Sequence, residues 1–336
     1  MKIAIFGAGM AGTYLAKLLR KEGITYTLFD KRDRPSCFCA WGWAGFRQVK
    51  EFAKAIGYNA DEYVLVRPKR AWINGVEVKI KNVVTFDKIK WLEDMWKDEV
   101  IVLNHMAYDP AEYDLVVDAT GTARAVMGKS EYDRLLHTIQ FKAKSSILDE
   151  DYIYVYGRPY GYAWYFPLGD GWWHIGAGAY VRQQADYLLR RILEEVPVLH
   201  YGDACQCAAK IRYVVPGAIP IVDMHPYPPK VAIGEAGGFV SGFGEGNTLA
   251  METATVLYEC IRDYPNNSVL AANEYKKRVL EKTLWVGRQY RFVWALSRGF
   301  VPALLVAKDV IKIANWRSIE ISKWQALRIL WKITHG

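Results

Sequence analysis

Nowhere in this 336-residue chain does an uninterrupted apolar run reach the ~18–20 residues that a membrane-spanning helix needs. An integral membrane protein is therefore not expected, while peripheral attachment stays open. Five cysteines are an odd number for a disulfide framework, and a chain of this length needs none. Four of them form the Cys-x-Cys pairs Cys37/Cys39 and Cys205/Cys207. Reduced thiols, a disulfide or redox pair, and a zinc site are all compatible with these pairs, although zinc ligands favour wider spacing. The six histidines show no metal spacing, so no metal is assigned. No single segment interleaves Lys and Arg with stacking aromatics, which argues against nucleic acid as the partner of a chain with net charge +8. Repeats and low-complexity tracts are also lacking. An organised strand begins at residue 3, leaving no room for a leader segment. A cytoplasmic location is expected, with attachment to the inner membrane face left open.

What is present suits a globular enzyme with a substantial core: 51% of residues are hydrophobic. Thirteen Trp, 22 Tyr and the positive balance fit either a membrane surface or an anionic, apolar substrate. The first 30 residues carry the most specific signal. Lys2–Phe6 reads as a strand, Gly7-Ala8-Gly9-Met10-Ala11-Gly12 as a glycine turn, the following stretch as an amphipathic helix, and Thr25–Phe29 as a second strand ending in Asp30. These are the parts of a dinucleotide-binding unit. Gly7 permits the turn, Gly9 lets the backbone approach a pyrophosphate, and Gly12 brings helix against strand. Asp30, followed by Lys31, is positioned to accept from an adenosine ribose.

Further along, Asn74-Gly75 predicts a hairpin, Phe86–Trp96 a helix, Glu99–Leu103 a strand, and Tyr113–Gly121 a buried strand running into a turn at Thr120 and Gly121. Residues 135–182 change to alternating strands, with a second hairpin at Asp170-Gly171. A helix containing Leu188, Leu189, Ile192 and Leu193 follows. Val231–Gly238 gives another strand and glycine turn, and Gly242–Asn247 leads into a helix from Thr248 to about Asp263. There Glu235 offers a carboxylate to polyol hydroxyls, and Gly244, Gly246 and Asn247 stand where helix amides face an anion. The tail after residue 271 reads as helical; its mix of leucines, Trp316, Trp324, Trp331 and basic residues fits packing on the chain's own core or the headgroup region of a membrane. Aromatics at alternating strand positions, Trp164 and Phe166, fit ordinary sheet core as readily as a ligand wall.

Three blocks together resemble the geranylgeranyl reductase family of FAD-dependent oxidoreductases, within the class shared with aromatic hydroxylases. They are Gly7/Gly9/Gly12 with Asp30; Gly161-Tyr162-Ala163-Trp164-Tyr165-Phe166-Pro167 with Gly169-Asp170-Gly171; and Gly234–Met251. The resemblance spans roughly residues 1–260 and implies an α/β fold. In it a two-dinucleotide-binding, Rossmann-like FAD domain carries an inserted antiparallel β-sheet substrate domain and a helical C-terminal tail. The expected division is 1–134 and 205–270 for the FAD domain, 135–204 for the substrate sheet, and 271–336 for the tail. FAD is the implied cofactor, held by Gly7, Gly9, Met10, Ala11, Gly12, Asp30, Lys31, Thr120, Gly121, Gly234, Glu235, Gly244, Gly246 and Asn247.

The implied reaction is reduction of C=C bonds in a prenyl lipid by hydride from reduced flavin. Trp41, Trp43, Tyr162, Trp164, Phe166 and Pro167 would line an apolar substrate cavity. Cys37, on the loop that in this class returns toward the flavin, is the candidate proton donor, or else a small packed residue. Two other readings are an aromatic monooxygenase and a non-catalytic escort for prenylated molecules. The electron donor is not legible. Three departures from the family pattern stand out: Glu235 replaces an aspartate, Thr85 stands where an arginine is common, and the substrate and tail regions are short.

Overall fold

The computed structural model describes residues 1–35, 42–103, 109–195, 200–201 and 207–336. Four consecutive apolar residues, all buried, form β1 (Ile3–Phe6), and glycines release the chain into α1 (Met10–Lys21). Then come β2 (Tyr26–Asp30), β3 (Gly42–Ala44), α2 (Phe46–Ala55), β4 (Val64–Val66), β5 (Arg70–Ile73), β6 (Val76–Ile80), β7 (Val83–Phe86), α3 (Lys88–Trp96), β8 (Ile101–Leu103) and β9 (Leu115–Asp118). Four long strands follow: β10 (Leu135–Lys144), β11 (Tyr152–Arg158), β12 (Gly161–Gly169) and β13 (Trp172–Ala179). After α4 (Arg182–Glu195) the chain adds β14 (His200–Tyr201), β15 (Cys207–Arg212), β16 (Val222–Asp223) and β17 (Lys230–Ala232). The remainder is α5 (Asn247–Asp263), α6 (Ser268–Lys282), α7 (Leu284–Leu296), α8 (Phe300–Arg317), β18 (Ile319–Glu320) and α9 (Lys323–His335).

Among the described residues the strands form three sheets. The first has the order β16-β17-β9-β1-β2-β8, parallel apart from its β16 edge. Its central strands are buried, as a parallel sheet with covered faces requires. Helices α1 and α5 pack together beside it, so two separate stretches of sequence build one dinucleotide-binding layer.

The second sheet is the antiparallel one expected from residues 135–182, but it draws on more of the chain. The β5–β6 hairpin, turning at Asn74 and Gly75 with φ of 47° and 74°, joins it through a parallel β5–β11 pairing. The tail, read from sequence as wholly helical, contributes β18 to its far edge. One face is covered by α4, against Ala163, Tyr165, Trp173 and Ile175. The opposite face is divided. Toward the β5–β6 edge, Ile153 and Val155 pack with Leu296, Ala303, Ala307, Ile329, Leu330 and Ile333 of the C-terminal helices. The remainder carries Tyr162, Trp164, Gln140 and His174.

Candidate functional site

The three glycines of the first turn do different work. Gly7 has φ of +100°, and a Cβ there would lie 2.4 Å from the Ala119 carbonyl oxygen. A Cβ on Gly12 would come within 1.8 Å of the Gly7 carbonyl oxygen. Both positions are therefore bare because backbone occupies the space. Gly9 is the exception, with open space where its Cβ would stand. It is also the N-cap of α1, whose first-turn amides have no intrahelical acceptors. Open room in front of a helix N-terminus fits a pyrophosphate. Met10 and Ala11 are nearly buried, so only their backbone can serve such a ligand.

Two further turns close on this one. The turn after β9 is built by Asp118, fully buried, which accepts from Thr120 N and Thr120 Oγ1 through one oxygen and from Val126 N and Met127 N through the other. Gly121 adopts φ of +64° there. Gly234, with φ of +57°, lies so close to α1 that its Cβ would sit 3.1 Å from that of Ala11, and its amide donates to Thr253 Oγ1. The structure thus brings the Gly7–Gly12, Thr120–Gly121 and Gly234 segments together.

Several expected ligand groups are already engaged. Asp30, foreseen as a ribose acceptor, accepts from Ala8 N and Arg32 Nη2 on one oxygen and from Arg32 N and Nε on the other, at 2.7–3.0 Å. Burial pushes its pKa up, yet the Arg32 and Ala8 hydrogen bonds outweigh this and hold it below the usual carboxylate range. A ribose must share Asp30 with Arg32, the residue that sequence reasoning passed over in favour of Lys31, which is exposed. Glu235, expected to meet polyol hydroxyls, spends Oε1 on Thr122 Oγ1 and Arg212 N, both at 2.7 Å. Its other oxygen faces Gly121. The carboxamide of Asn247 donates to the Gly42 carbonyl, and Thr248 Oγ1 donates to that of Ala44. These two bonds pin β3 to the start of α5.

The loop before α5 is held from three sides. Tyr290 on α7 donates to the Val240 carbonyl, Tyr213 to that of Gly242, and Tyr162 on β12 to that of Phe243. Burial raises all three phenol pKa values, Tyr162 to about 12, so each remains a proton donor at neutral pH. Ser241 Oγ accepts from the amides of Phe243 and Glu245, and the Glu245 carboxylate caps Thr248 N. With its carbonyls tied back, the loop delivers Gly244 (φ +84°) and the N-cap Gly246 to the head of α5, where helix dipole and amides favour an anion. Tyr213 and Tyr290 carried no local signal; their roles arise from pairings 29 and 50 residues apart.

The aromatic wall is smaller than the sequence implies. Trp43, expected at the cavity, is 0% exposed and stacks on Phe86 at 3.5 Å between ring centroids, with Trp91 edge-on at 5.2 Å. It belongs to the core beneath the dinucleotide unit. Pro167 pairs with Trp173 and so faces α4, away from Trp164 and Phe166, because successive strand residues alternate faces. Its carbonyl is taken by Thr85 Oγ1 at 2.6 Å, where an arginine was the family expectation. Phe166 packs partly on the C-terminal helices. Among the described residues Tyr162 and Trp164 remain, with ring centroids 5.3 Å apart. Trp164 lies across Gly176, whose Cβ would meet its ring at 2.4 Å.

Beside Trp164 stands a polar pair that sequence reasoning left unassigned. His174 is 2% exposed and its Nε2 lies 3.2 Å from Gln140 Oε1, while Nδ1 has no hydrogen-bond partner. Burial, with the charges of Lys142 and Lys88, drives its pKa down to about 3, so the ring is neutral. Cys37, Trp41, Cys39 and Cys205 lie outside the described residues. Cys260 is a buried free thiol whose pKa burial pushes up to about 11, inside the α5 core. Among the described residues no cluster of His, Cys, Asp or Glu has metal-binding geometry, and no helix is long and apolar enough to cross a membrane.

Residues 5–44 match the NAD(P)-binding Rossmann-like domain family. An uncharacterized protein of Methanocaldococcus jannaschii is 25% identical over 322 residues, covering 82% of this chain and 87% of its own. Among solved structures, a geranylgeranyl bacteriochlorophyll reductase-like protein from Thermoplasma acidophilum superposes with a TM-score of 0.70 at 14% identity, over 99% of this chain and 96% of that one. PqsL of Pseudomonas aeruginosa, a probable FAD-dependent monooxygenase, gives 0.65 at 15% identity over 92% and 99%. The chain shares the fold of these flavoprotein oxidoreductases: a Rossmann-like dinucleotide unit joined to an antiparallel sheet and C-terminal helices.

Proposed function

We propose that the protein is an FAD-dependent oxidoreductase that reduces C=C double bonds of a prenyl lipid. The observation that carries this reading is the bond from Tyr162 to the Phe243 carbonyl, which sets the aromatic face of the sheet against the anion-favouring head of α5. A cofactor whose pyrophosphate occupies the space before Gly9 and whose ring reaches Gly244 and Gly246 would meet Tyr162 and Trp164 directly. Reduced FAD supplies the hydride. The chain's own part is to hold the alkene against that face, exclude water with indole and phenol rings, and deliver a proton to the second alkene carbon. Cys37, outside the described residues, is proposed for that proton on the resemblance to the family, in which its loop returns toward the flavin. The substrate class is taken from the geranylgeranyl bacteriochlorophyll reductase-like protein of Thermoplasma acidophilum, which has the same fold.

A second reading, an FAD-dependent monooxygenase of an aromatic substrate, is favoured by the unpartnered His174 Nδ1 on the same face, since a polar ring substituent would satisfy it. One experiment separates the two. Purified protein should show a flavin absorption spectrum; photoreduced anaerobically and given a geranylgeranyl lipid, it should yield product heavier by two hydrogens per turnover. Oxygen-dependent hydroxylation of an aromatic compound with no alkene reduction would instead establish the monooxygenase. A protein that binds no flavin under any condition would refute both.

A further inference from the structure

Residues 284–336 contain nine Lys and Arg but only two acids, Asp309 and Glu320, so seven of the chain's eight net positive charges lie in its last 53 residues. The helices there bury small or aliphatic faces inward and turn large apolar residues outward. Helix α8 buries Ala303, Ala307 and Val310 and exposes Val301, Leu304 and Leu305, at 65%, 41% and 80%. Helix α9 buries Ala326, Ile329, Leu330 and Ile333 and exposes Trp324 and Trp331, at 82% and 55%. Trp324, Arg328, Trp331 and His335 recur at helical spacing on one stripe. The two helices join in one surface, since the Phe300 ring, next to Val301, lies edge-on to Trp331 at 5.6 Å. Lys308, Lys312, Lys323 and Arg328 are exposed around it.

From this we infer that the outer face of α8 and α9 docks the protein on an anionic lipid bilayer. An exposed Leu at 80% and an exposed Trp at 82% are uncompensated in water, whereas the headgroup boundary accepts both, and each nearby cation gains from anionic lipid. The charge argues against the main rival. A two-fold contact between copies would set this positive segment against itself, which like-charge repulsion opposes. Because α8 is too charged to span, the protein lies on the membrane rather than through it. This inference does not depend on the reaction proposed above.

The test is flotation of the full-length protein with phosphatidylcholine vesicles, with and without phosphatidylglycerol. Binding should require phosphatidylglycerol and weaken several-fold in high salt. The double variant Leu305→Ser, Trp324→Ser should lose at least tenfold in partitioning while keeping the parental melting temperature, because both side chains are exposed. Absence of binding to phosphatidylglycerol vesicles would overturn the inference, as would equal binding by the variant. A parental dimer in sedimentation that the variant turns to monomer would assign the surface to a second copy instead.

Discussion

The hydroxyl of Tyr162 donates a 2.6 Å hydrogen bond to the carbonyl of Phe243, joining β12 of the antiparallel sheet to the loop that opens α5. The bond leaves little room: a Cβ on Gly244 would come within 2.6 Å of the same phenol oxygen. The aromatic face of the antiparallel sheet and the loop before α5 are thus one mechanical unit. Removing the hydroxyl frees a carbonyl at the edge of solvent, which costs ~1 kcal/mol of loop order. Tyr162→Phe should therefore bind FAD about fivefold more weakly by fluorescence titration, with a melting temperature lowered by no more than about 2 °C.

Gly9 and Gly12 separate cofactor binding from folding. Gly9→Val adds its side chain to open space and should give a folded, colourless protein. In Gly12→Val the new Cβ meets the Gly7 carbonyl at 1.8 Å, and the variant should be recovered unfolded or insoluble. Circular dichroism and the flavin absorbance at a common protein concentration check both. A yellow Gly9→Val protein with full cofactor content would remove the pyrophosphate from this turn.

His174 sets an acid dependence. Its folded pKa of about 3 lies below the unfolded value near 6.5, so the unfolded state binds the extra proton between them. Stability is fully present above pH ~6.5 and is lost progressively as pH falls toward the folded value. His174→Gln should flatten the decline of the melting temperature between pH ~6.5 and ~4. Identical pH profiles for the two proteins would contradict a neutral buried imidazole.

Trp164→Ala opens space over Gly176 on the wall facing the α5 loop and should cost ~3–5 kcal/mol of stability. Flavin content should hold, since the glycine turn before α1 and the head of α5 anchor the proposed cofactor and the indole only borders its ring. Prenyl-substrate KM should rise at least tenfold. Were affinity unaffected, the indole would be sheet core alone.

For Cys37→Ser, volume is nearly preserved while the donor's pKa rises far above that of a thiol. Stopped-flow reoxidation of reduced flavin by the alkene substrate should slow at least tenfold, equivalent to ~1.4 kcal/mol of barrier, with cofactor content unchanged. An unaltered rate would leave the thiol as packing.

Local pattern carried much of the architecture. The glycine spacing in Gly7–Gly12 reports sterics within one turn, Asn74-Gly75 reports positive φ at two adjacent residues, and the alternation in 135–182 reports a sheet with two unlike faces. Each is legible because its cause lies within a few residues. Period alone, however, does not say which partner a face meets. Trp43 and Trp164 look alike in sequence; one stacks on Phe86 in the core, while the other lies over Gly176. Pro167 belongs to the same motif as Trp164, yet the pleat turns it toward α4. Arg32 takes up the acid that a ribose was expected to find free, and Tyr213 and Tyr290 reach the α5 loop from distant elements. Likewise the β5–β6 hairpin and β18 join a sheet whose other strands lie far away in sequence. By itself, then, the sequence determined the strand, glycine turn, helix and strand of residues 3–30 and the hairpin turns, since short-range sterics and burial period decide those. Only tertiary packing decided which carboxylates, amides and rings stay available to a ligand, because hydrogen-bond partners and covered faces are chosen by residues tens to hundreds of positions apart.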